Sequence, residues 1–399
     1  MSLARPGLPA VLWPLLFGNF VIGTGVMVVP GTLNELSTSL QVSAASAGQL
    51  ISAGAFMMAV AAPLFAAVVA GWDRRRLLAL ALLWYGLMHA ACTLSDALAT
   101  LLPLRVLSLA APAIFTPQAA AIVGLLVPPE QRGRAITFIF LGWSVASVLG
   151  MPLASFVGGT LGWRHAFMLV AMMSVAGAAW VWRTLPDGVR PPALSRAAWG
   201  ETFRSRALML CVAVTVLSAA GQFVVFSYFA PYWHQRLAVT PGELSLLFLA
   251  FGGFGLLGNV LMMRYIGRLG ADRAVMLGLG GIALSLLVWP LGATLLLAAL
   301  VNIPWALGCF STNSAQQARL VGLAPALASA SVALNTSALY AGQALGAAIG
   351  GVLIALGDFA ALSWAALVGV LCAMGLSVLA SRAAPPAAGP SPAEPATPR

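Results

Sequence analysis

Apolar runs long enough to cross a bilayer recur along the whole chain, and the charges sit almost entirely in the short gaps between them. A hydrocarbon core about 30 Å thick takes about 20 residues of α-helix. Lipid offers the backbone no hydrogen bonds, so only helices and closed barrels can span it. Barrel strands would alternate apolar and polar residues over about ten positions, whereas these runs are continuous. Twelve spans are expected, at 11–33, 46–70, 77–95, 98–126, 134–158, 165–183, 207–233, 243–266, 274–292, 294–319, 325–356 and 359–381. Composition agrees: 61% of residues are hydrophobic and 8% charged, against about 45–50% and about 25% in a soluble domain.

The longest interruption, Thr184 to Arg206, divides the runs into two sets of six. The expected fold is an all-α polytopic membrane protein, with twelve transmembrane helices in two six-helix pseudo-repeats. The expected domains are a bundle at 1–183, a cytoplasmic linker at 184–206, a second bundle at 207–382 and a disordered Pro/Ala-rich tail at 383–399. Two features recur in both halves. Arginine clusters follow the second and eighth spans, at Arg74, Arg75 and Arg76 and at Arg264, Arg268 and Arg273. Small residues recur every fourth position in the fifth span (Gly142, Ala146, Gly150, Ala154, Gly158) and the eleventh (Ala338, Gly342, Gly346, Gly350). Residues four apart share one helix face, and a face of small residues lets another helix approach closely.

All 20 basic residues are arginine, and the net charge is +10. Their position in inter-span loops points to membrane topology and away from nucleic acid. With both termini cytoplasmic, only Arg105, Arg164 and Arg236 fall toward the other side. The expected location is a bacterial inner membrane, crossed many times. Leu8 to Leu33 is too long for a signal-peptide core and reads as the first span. Cys92, Cys211, Cys309 and Cys372 fall in or beside apolar runs with no CxxC pair, so they read as buried packing residues. No HExxH, GxSxG or phosphate-binding loop is present, so an embedded enzyme is a remote alternative and neither cofactor nor metal is expected.

From span 1 to span 12 the chain resembles the major facilitator superfamily, in its twelve-span drug and metabolite efflux branch. The residues that carry the resemblance are Arg105 in the fourth span, PPEQRGRA from Pro128, Gly150-Met151-Pro152 in the fifth span, Gly162-Trp163-Arg164 with Phe167, and SVALNTSALYAGQALGAAIGG from Ser331. The resemblance implies alternating access, export of a small solute in exchange for protons, and a monomer. There are departures. The loop after span 2 keeps only the basic end of the family pattern, Arg74 to Arg76, with Ala66, Ala70 and Asp73 at the other positions. Its second-half copy has Gly267 before Arg268. These arginines form the expected cytoplasmic gate. In span 1, Gly23-Thr24 is followed by Gly25-Val26-Met27, with no acid.

In this fold spans 1, 4, 7 and 10 line the central cavity. The expected cavity residues are Asn19, Thr24, Arg105, Phe115, Thr116, Gln118, Gln222, Phe226, Tyr228, Asn302, Trp305 and Phe310, joined by Asn335 and Tyr340 of span 11. This neutral, amide- and aromatic-rich set suits a neutral or amphiphilic solute: a drug, a sugar, a nucleoside or a related metabolite. Arg105 must be hydrated or find carbonyls, an acid such as Asp96, or a substrate, because arginine does not lose its proton. All ten acids fall in loops, tails or span ends. That leaves Glu35, Asp96, Glu243 and His89 as proton-coupling candidates, and an importer or uniporter as the alternative. Gly142, Gly150, Pro152 and Gly158, with Gly342, Gly346 and Gly350, are expected as packing seams between the halves. Trp163 and Arg164 are expected as interfacial anchors, and Arg132 and Arg134 as contacts to lipid phosphates or neighbouring loops.

Overall fold

The computed structural model describes residues 10–69, 71–190, 196–324 and 327–383. The expected disordered tail lies outside the described residues from position 384 onward. The helices are α1 (Leu12–Gly31), α2 (Leu33–Ser39), α3 (Ala44–Val68), α4 (Arg74–Cys92), α5 (Leu98–Ser108), α6 (Ala110–Leu126), α7 (Pro129–Val145), α8 (Met151–Leu161), α9 (Trp163–Thr184), α10 (Arg196–Arg204), α11 (Arg206–Phe226), α12 (Phe229–Leu237), α13 (Pro241–Leu269), α14 (Ala271–Val288), α15 (Leu295–Leu323), α16 (Ala328–Ala355) and α17 (Ala361–Ala383). By length and composition, 11 helical segments can cross a membrane. The remaining expected span is α4, whose first turn holds the three arginines Arg74, Arg75 and Arg76.

Three expected spans are broken, each beside a proline. Proline has no N–H, and its ring clashes with the carbonyl four residues back. Pro112 deprives Ser108 of a partner, and the fourth span divides into α5 and α6 there. Pro231 does the same for Ser227, and the seventh span divides into α11 and α12. In the fifth span a π-turn, Ala146–Gly150, separates α7 from α8 just ahead of Pro152. The linker is not wholly irregular, because α10 forms within it. Side chains start many of the other helices: Ser43, Asp73, Ser205 and Thr294 each accept a backbone N–H in the first turn. Gly162 (φ 96°) and Gly270 (φ 77°) each turn the chain from one span to the next in a single left-handed residue.

Packing is asymmetric along the membrane normal. One apolar cluster runs through both halves, joining Val28, Leu36, Leu50, Met151 and Phe167 toward the arginine-poor end of the first half to Phe229, Phe248, Trp289 and Val370. In the second half it continues to Ala274 and Ala315 near the arginine-rich end. The other clusters stay mainly in one half. One gathers Leu12, Leu78, Ile122, Ile139 and Val181; the other gathers Leu208, Cys211, Leu320 and Ala380. Tyr340 of α16 is the exception, packing into the first half's cluster. Direct approaches between halves include Ser245 Oγ donating to the Pro152 carbonyl at 2.8 Å. Gly48 lies against the Tyr228 ring, Gly159 against Pro241, and Gly252 against the Ser147 backbone of the π-turn. These approaches lie between mid-depth and the arginine-poor end.

The small-residue ladders do not lie between the halves as expected. Gly142, Gly150 and Gly158 press against Leu16, Thr24 and Thr32 of the first span region. Gly342, Gly346 and Gly350 press against Val216, Ala220 and Val224 of α11. Each ladder therefore seals a helix pair inside its own half, because the flat face is taken up by the first helix of the same bundle. Trp163 is also placed differently: it is buried in the shared core, and Arg164 stacks on its ring at 4.5 Å. Cys92 and Cys211 are buried as expected, whereas Cys372 is exposed.

A Cβ at Gly252 would meet the Ser147 carbonyl, while one at Gly253 would meet nothing within 4 Å. Gly252→Ala is expected to lower thermal stability in detergent by about 1–3 kcal/mol, as overpacking does. Gly253→Ala should stay within about 0.5 kcal/mol of the parent. Equal melting temperatures for the two variants would refute this inter-half contact.

Candidate functional site

In the first half the polar residues of the interior form two groups. Asn19 donates from Nδ2 to the Ile139 carbonyl at 3.1 Å and accepts from Thr116 at 2.9 Å. Trp143 donates to the same Thr116 hydroxyl at 3.4 Å. This ties the first, fourth and fifth spans together through neutral groups. Thr24 returns its proton to the Phe20 carbonyl at 2.9 Å. Phe115 fills the space beside Gly18, and Gln118 is buried.

The second group surrounds Arg105, in the last turn of α5, where the helix dipole favours a cation. Its side chain is buried. Nη2 donates to the Val26 carbonyl at 3.1 Å, and Nη1 meets His89 Nε2 at 3.2 Å. Val26 lacks its ordinary helical donor because that donor would be the N–H of Pro30. Arginine can only donate, so His89 Nε2 is the acceptor, and Nδ1 carries the proton to the Tyr85 carbonyl at 2.9 Å. His89 is thus held neutral in one tautomer. The acid suggested as a partner, Asp96, is instead exposed and paired with Arg164 at 2.7 Å, because Arg164 reaches the turn carrying Asp96 while Arg105 is enclosed.

In the second half, Trp305 donates from Nε1 to Gln222 Oε1 at 2.9 Å, and Gln222 donates to Ser218 Oγ at 3.2 Å. Trp305, Phe226 and Phe251 belong to an aromatic cluster that continues through Phe229, Phe248, Trp233 and Trp289. Tyr228 donates to the Ala347 carbonyl at 3.0 Å. Phe310 is half-buried beside Gly255. Asn335 accepts from Thr215 at 2.6 Å, and Asn302 donates to the Ala298 carbonyl at 2.6 Å. The tenth and eleventh spans hold a concentration of buried polar atoms without a protein partner: Asn302 Oδ1, Thr312 Oγ1, Asn313 Oδ1, Gln316 Oε1 and Asn335 Nδ2. Buried groups of this kind call for water or a ligand. Thr312, Asn313 and Gln316 were missed from sequence, although Thr312 and Asn313 lie within a turn of Phe310 on the tenth span and Gln316 within two.

The coupling candidates separate by geometry. Glu243 is half-buried and closes a capping box with Thr240, accepting its backbone N–H at 2.8 Å. Asp96 is a surface ion-pair partner and His89 is locked. Glu35 of α2 lies beside Gly159 where the halves meet, and its Oε2 is buried without a partner. Burial pushes its carboxyl above the ordinary glutamate range, against the pull of its own backbone N–H and of His234.

The expected gate arginines of the first half find partners within that half. Arg74 donates to the Val69 and Trp72 carbonyls at 2.9 and 3.0 Å. Arg75 stacks over Trp182 at 4.6 Å, and Arg76 lies 4.0 Å from Asp187. Arg268 is exposed in the last turn of α13. Asp73 accepts N–H groups from Arg76 at 3.0 Å and Gly188 at 2.7 Å. Burial opposes its ionisation, but those two donors outweigh it and hold the carboxyl below its usual range. Arg132 donates to the Val127 carbonyl at 3.1 Å; the Arg134 side chain lies outside the described residues. In the second half a buried Arg319 pairs with Asp272 at 2.6 Å and donates to Ser377 and Ser381, an arrangement not anticipated from sequence.

Twelve membrane helices in two six-helix halves, joined at one end and carrying neutral polar groups inside, define the architecture of a solute transporter. The chain belongs to the Major Facilitator Superfamily, whose family model matches residues 15–336. It is 30% identical to a chloramphenicol resistance protein of Streptomyces lividans over 85% of this chain and 88% of that one. It is 28% identical to the inner membrane transport protein YdhP of Escherichia coli K12, covering 87% and 89%. Among solved structures it is similar in fold to a bacterial homolog of the human lysosomal transporter Spinster in an inward-facing, unoccupied conformation. That match has a TM-score of 0.74 at 18% identity, over 94% and 96% of the two chains. It is also similar to a D-xylose–proton symporter, with a TM-score of 0.73 at 17% identity, over 92% and 96%. The protein is therefore a secondary transporter and not an enzyme.

Two outcomes follow. Arg105→Lys keeps the charge, but a single ammonium replaces the fork that bridges Val26 and His89; a loss of about 1–3 kcal/mol is expected in thermal unfolding. The folded Glu35 carboxyl titrates above 4.5, the value of an ordinary glutamate. Its contribution to stability is therefore full below that value and lost as pH rises through the folded pKa. Melting temperature should fall across that interval in the parent, and Glu35→Gln should flatten the fall. A Gln variant with the parent's pH profile would exclude Glu35 as the titrating group.

Proposed function

We propose that this transporter exports a small neutral or amphiphilic solute in exchange for protons, by alternating access between its two halves. The observation that carries the solute class is the set of orphaned amide atoms of Asn302, Asn313, Gln316 and Asn335 along the tenth and eleventh spans, which also carry Trp305 and Phe310. These groups bond neutral oxygens and nitrogens, and the aromatic faces cover apolar area. The similarity to a chloramphenicol resistance protein supports an exported solute of that amphiphilic kind. With the arginine-rich end in the cytoplasm, the first-half part of the shared core lies on the outer side. Glu35 is the proposed proton acceptor, because it alone of the four candidates joins a buried, unpartnered carboxyl oxygen to the junction of the halves. A uniporter of the same fold is the second reading, favoured by the lack of any mid-membrane carboxylate among the described residues.

The test uses purified protein in proteoliposomes with an imposed pH gradient and an internal pH dye, with chloramphenicol first in a panel of neutral solutes. Solute-dependent collapse of the gradient is expected in the parent and its loss in Glu35→Gln. Solute crossing with no proton movement in the parent would replace antiport by the uniporter reading.

A further inference from the structure

The two halves carry lipid-facing grooves on equivalent spans, and the grooves differ in charge. In the first half a groove of about 1180 Å³ runs along the second, third, fourth and sixth spans. Its lining, which includes Phe65, Trp72, Leu80, Trp84 and Met172, holds no charged residue. The arginines at its end are already engaged: Arg74 by carbonyls, Arg75 by Trp182 and Arg76 by Asp187. In the second half a groove of about 700 Å³ lies between α14 and α17. Met276, Leu277, Leu284 and Val378 form its apolar wall, while Arg273 and Arg382 line its arginine-rich end. The one carboxylate there, Asp272, is taken by Arg319 at 2.6 Å and by the Ser381 hydroxyl at 2.9 Å. Arg273 and Arg382 are both exposed, and neither has a carboxylate within salt-bridge distance among the described residues.

We propose that this groove is a binding site for one anionic phospholipid of the adjoining leaflet, with its phosphate between Arg273 and Arg382 and an acyl chain along α14. The charge is complementary, since two unpaired guanidiniums face a phosphodiester and Arg319 has already neutralised the competing acid. The dimensions fit as well. From Arg273 to Leu284 the helix rises about 16 Å, at about 1.5 Å per residue, close to the half-thickness of a hydrocarbon core about 30 Å deep. Gly280 keeps the floor open, since a Cβ there would meet nothing within 4 Å. The first-half groove offers the same kind of apolar wall without free charge, so it takes acyl chains with no headgroup preference.

The test reads lipid retention by native mass spectrometry, on full-length protein extracted from vesicles of equal phosphatidylglycerol and phosphatidylethanolamine content. The parent should retain one phosphatidylglycerol in preference to phosphatidylethanolamine. The double variant Arg273→Gln/Arg382→Gln should lose that preference by roughly 30-fold, from about fivefold per arginine at a charged lipid surface. The charge-matched control Arg75→Gln/Arg76→Gln should keep it. Gly280→Leu, which has room to fold, should fill the groove and reduce retention while the melting temperature holds. Unchanged phosphatidylglycerol retention in the Arg273/Arg382 variant, or equal loss in the control, would overturn the assignment of the headgroup site. Full retention in Gly280→Leu would overturn the acyl groove.

Discussion

Every backbone carbonyl inside a bilayer must find a donor within the protein, and this requirement organises the interior. Prolines within the spans remove donors, and side chains from other helices supply them. Pro30 orphans Val26, and Arg105 reaches across from the fourth span to bond that carbonyl. At the kink of Pro304, Ser285 inserts between Val301 and Trp305, donating to the carbonyl at 2.6 Å and accepting the N–H at 2.7 Å. The end of α5 opens at Leu107, and Trp84 donates to that carbonyl at 2.9 Å. A charge that would be costly in lipid is thus held by the backbone it repairs.

Core packing is distributed unevenly within and between the halves. Within each half, glycine faces bring the fifth span onto the first and the eleventh onto the seventh so closely that a methyl group would collide with backbone or side chain. Those pairs are close-packed. Between halves, the first-half members of the shared apolar core lie toward the arginine-poor end, and Tyr340 adds a separate contact to the first half's own cluster. The π-turn Ala146–Gly150 sits where that shared core meets Gly252. Irregular helix of this kind is common at functional positions, and here it places backbone from one half directly against the other.

Charge is distributed on a different principle in each half. After the second span, Arg74 donates to carbonyls, Arg75 stacks on Trp182 and Arg76 lies near Asp187 at the start of the linker. The second half spends one arginine on a buried lock, Arg319 with Asp272, Ser377 and Ser381, and leaves others exposed along the surface. Repeats that share a topology therefore engage Arg74 to Arg76 and Arg319 with different partners.

The continuous apolar runs and the arginines between them determined the helical class, the number of spans and their division into two halves, because bilayer thickness and backbone desolvation leave no other solution. The spacing of small residues also determined which helix faces would pack closely. It did not reveal the partner, since a flat face fits any neighbour; only the tertiary structure placed Gly142 against Leu16 and Gly342 against Val216, within the halves. Likewise, residue types marked Arg105, His89, Glu35, Asp96 and Glu243 as notable, but their roles were set by burial and by neighbours distant in sequence. Arg105 went to a carbonyl, His89 became its acceptor, Asp96 went to Arg164 and Glu243 became a helix cap. Glu35 was left with a buried, unpaired oxygen at the junction of the halves. Sequence fixes which groups must find partners; the three-dimensional packing decides which partner is within hydrogen-bond reach.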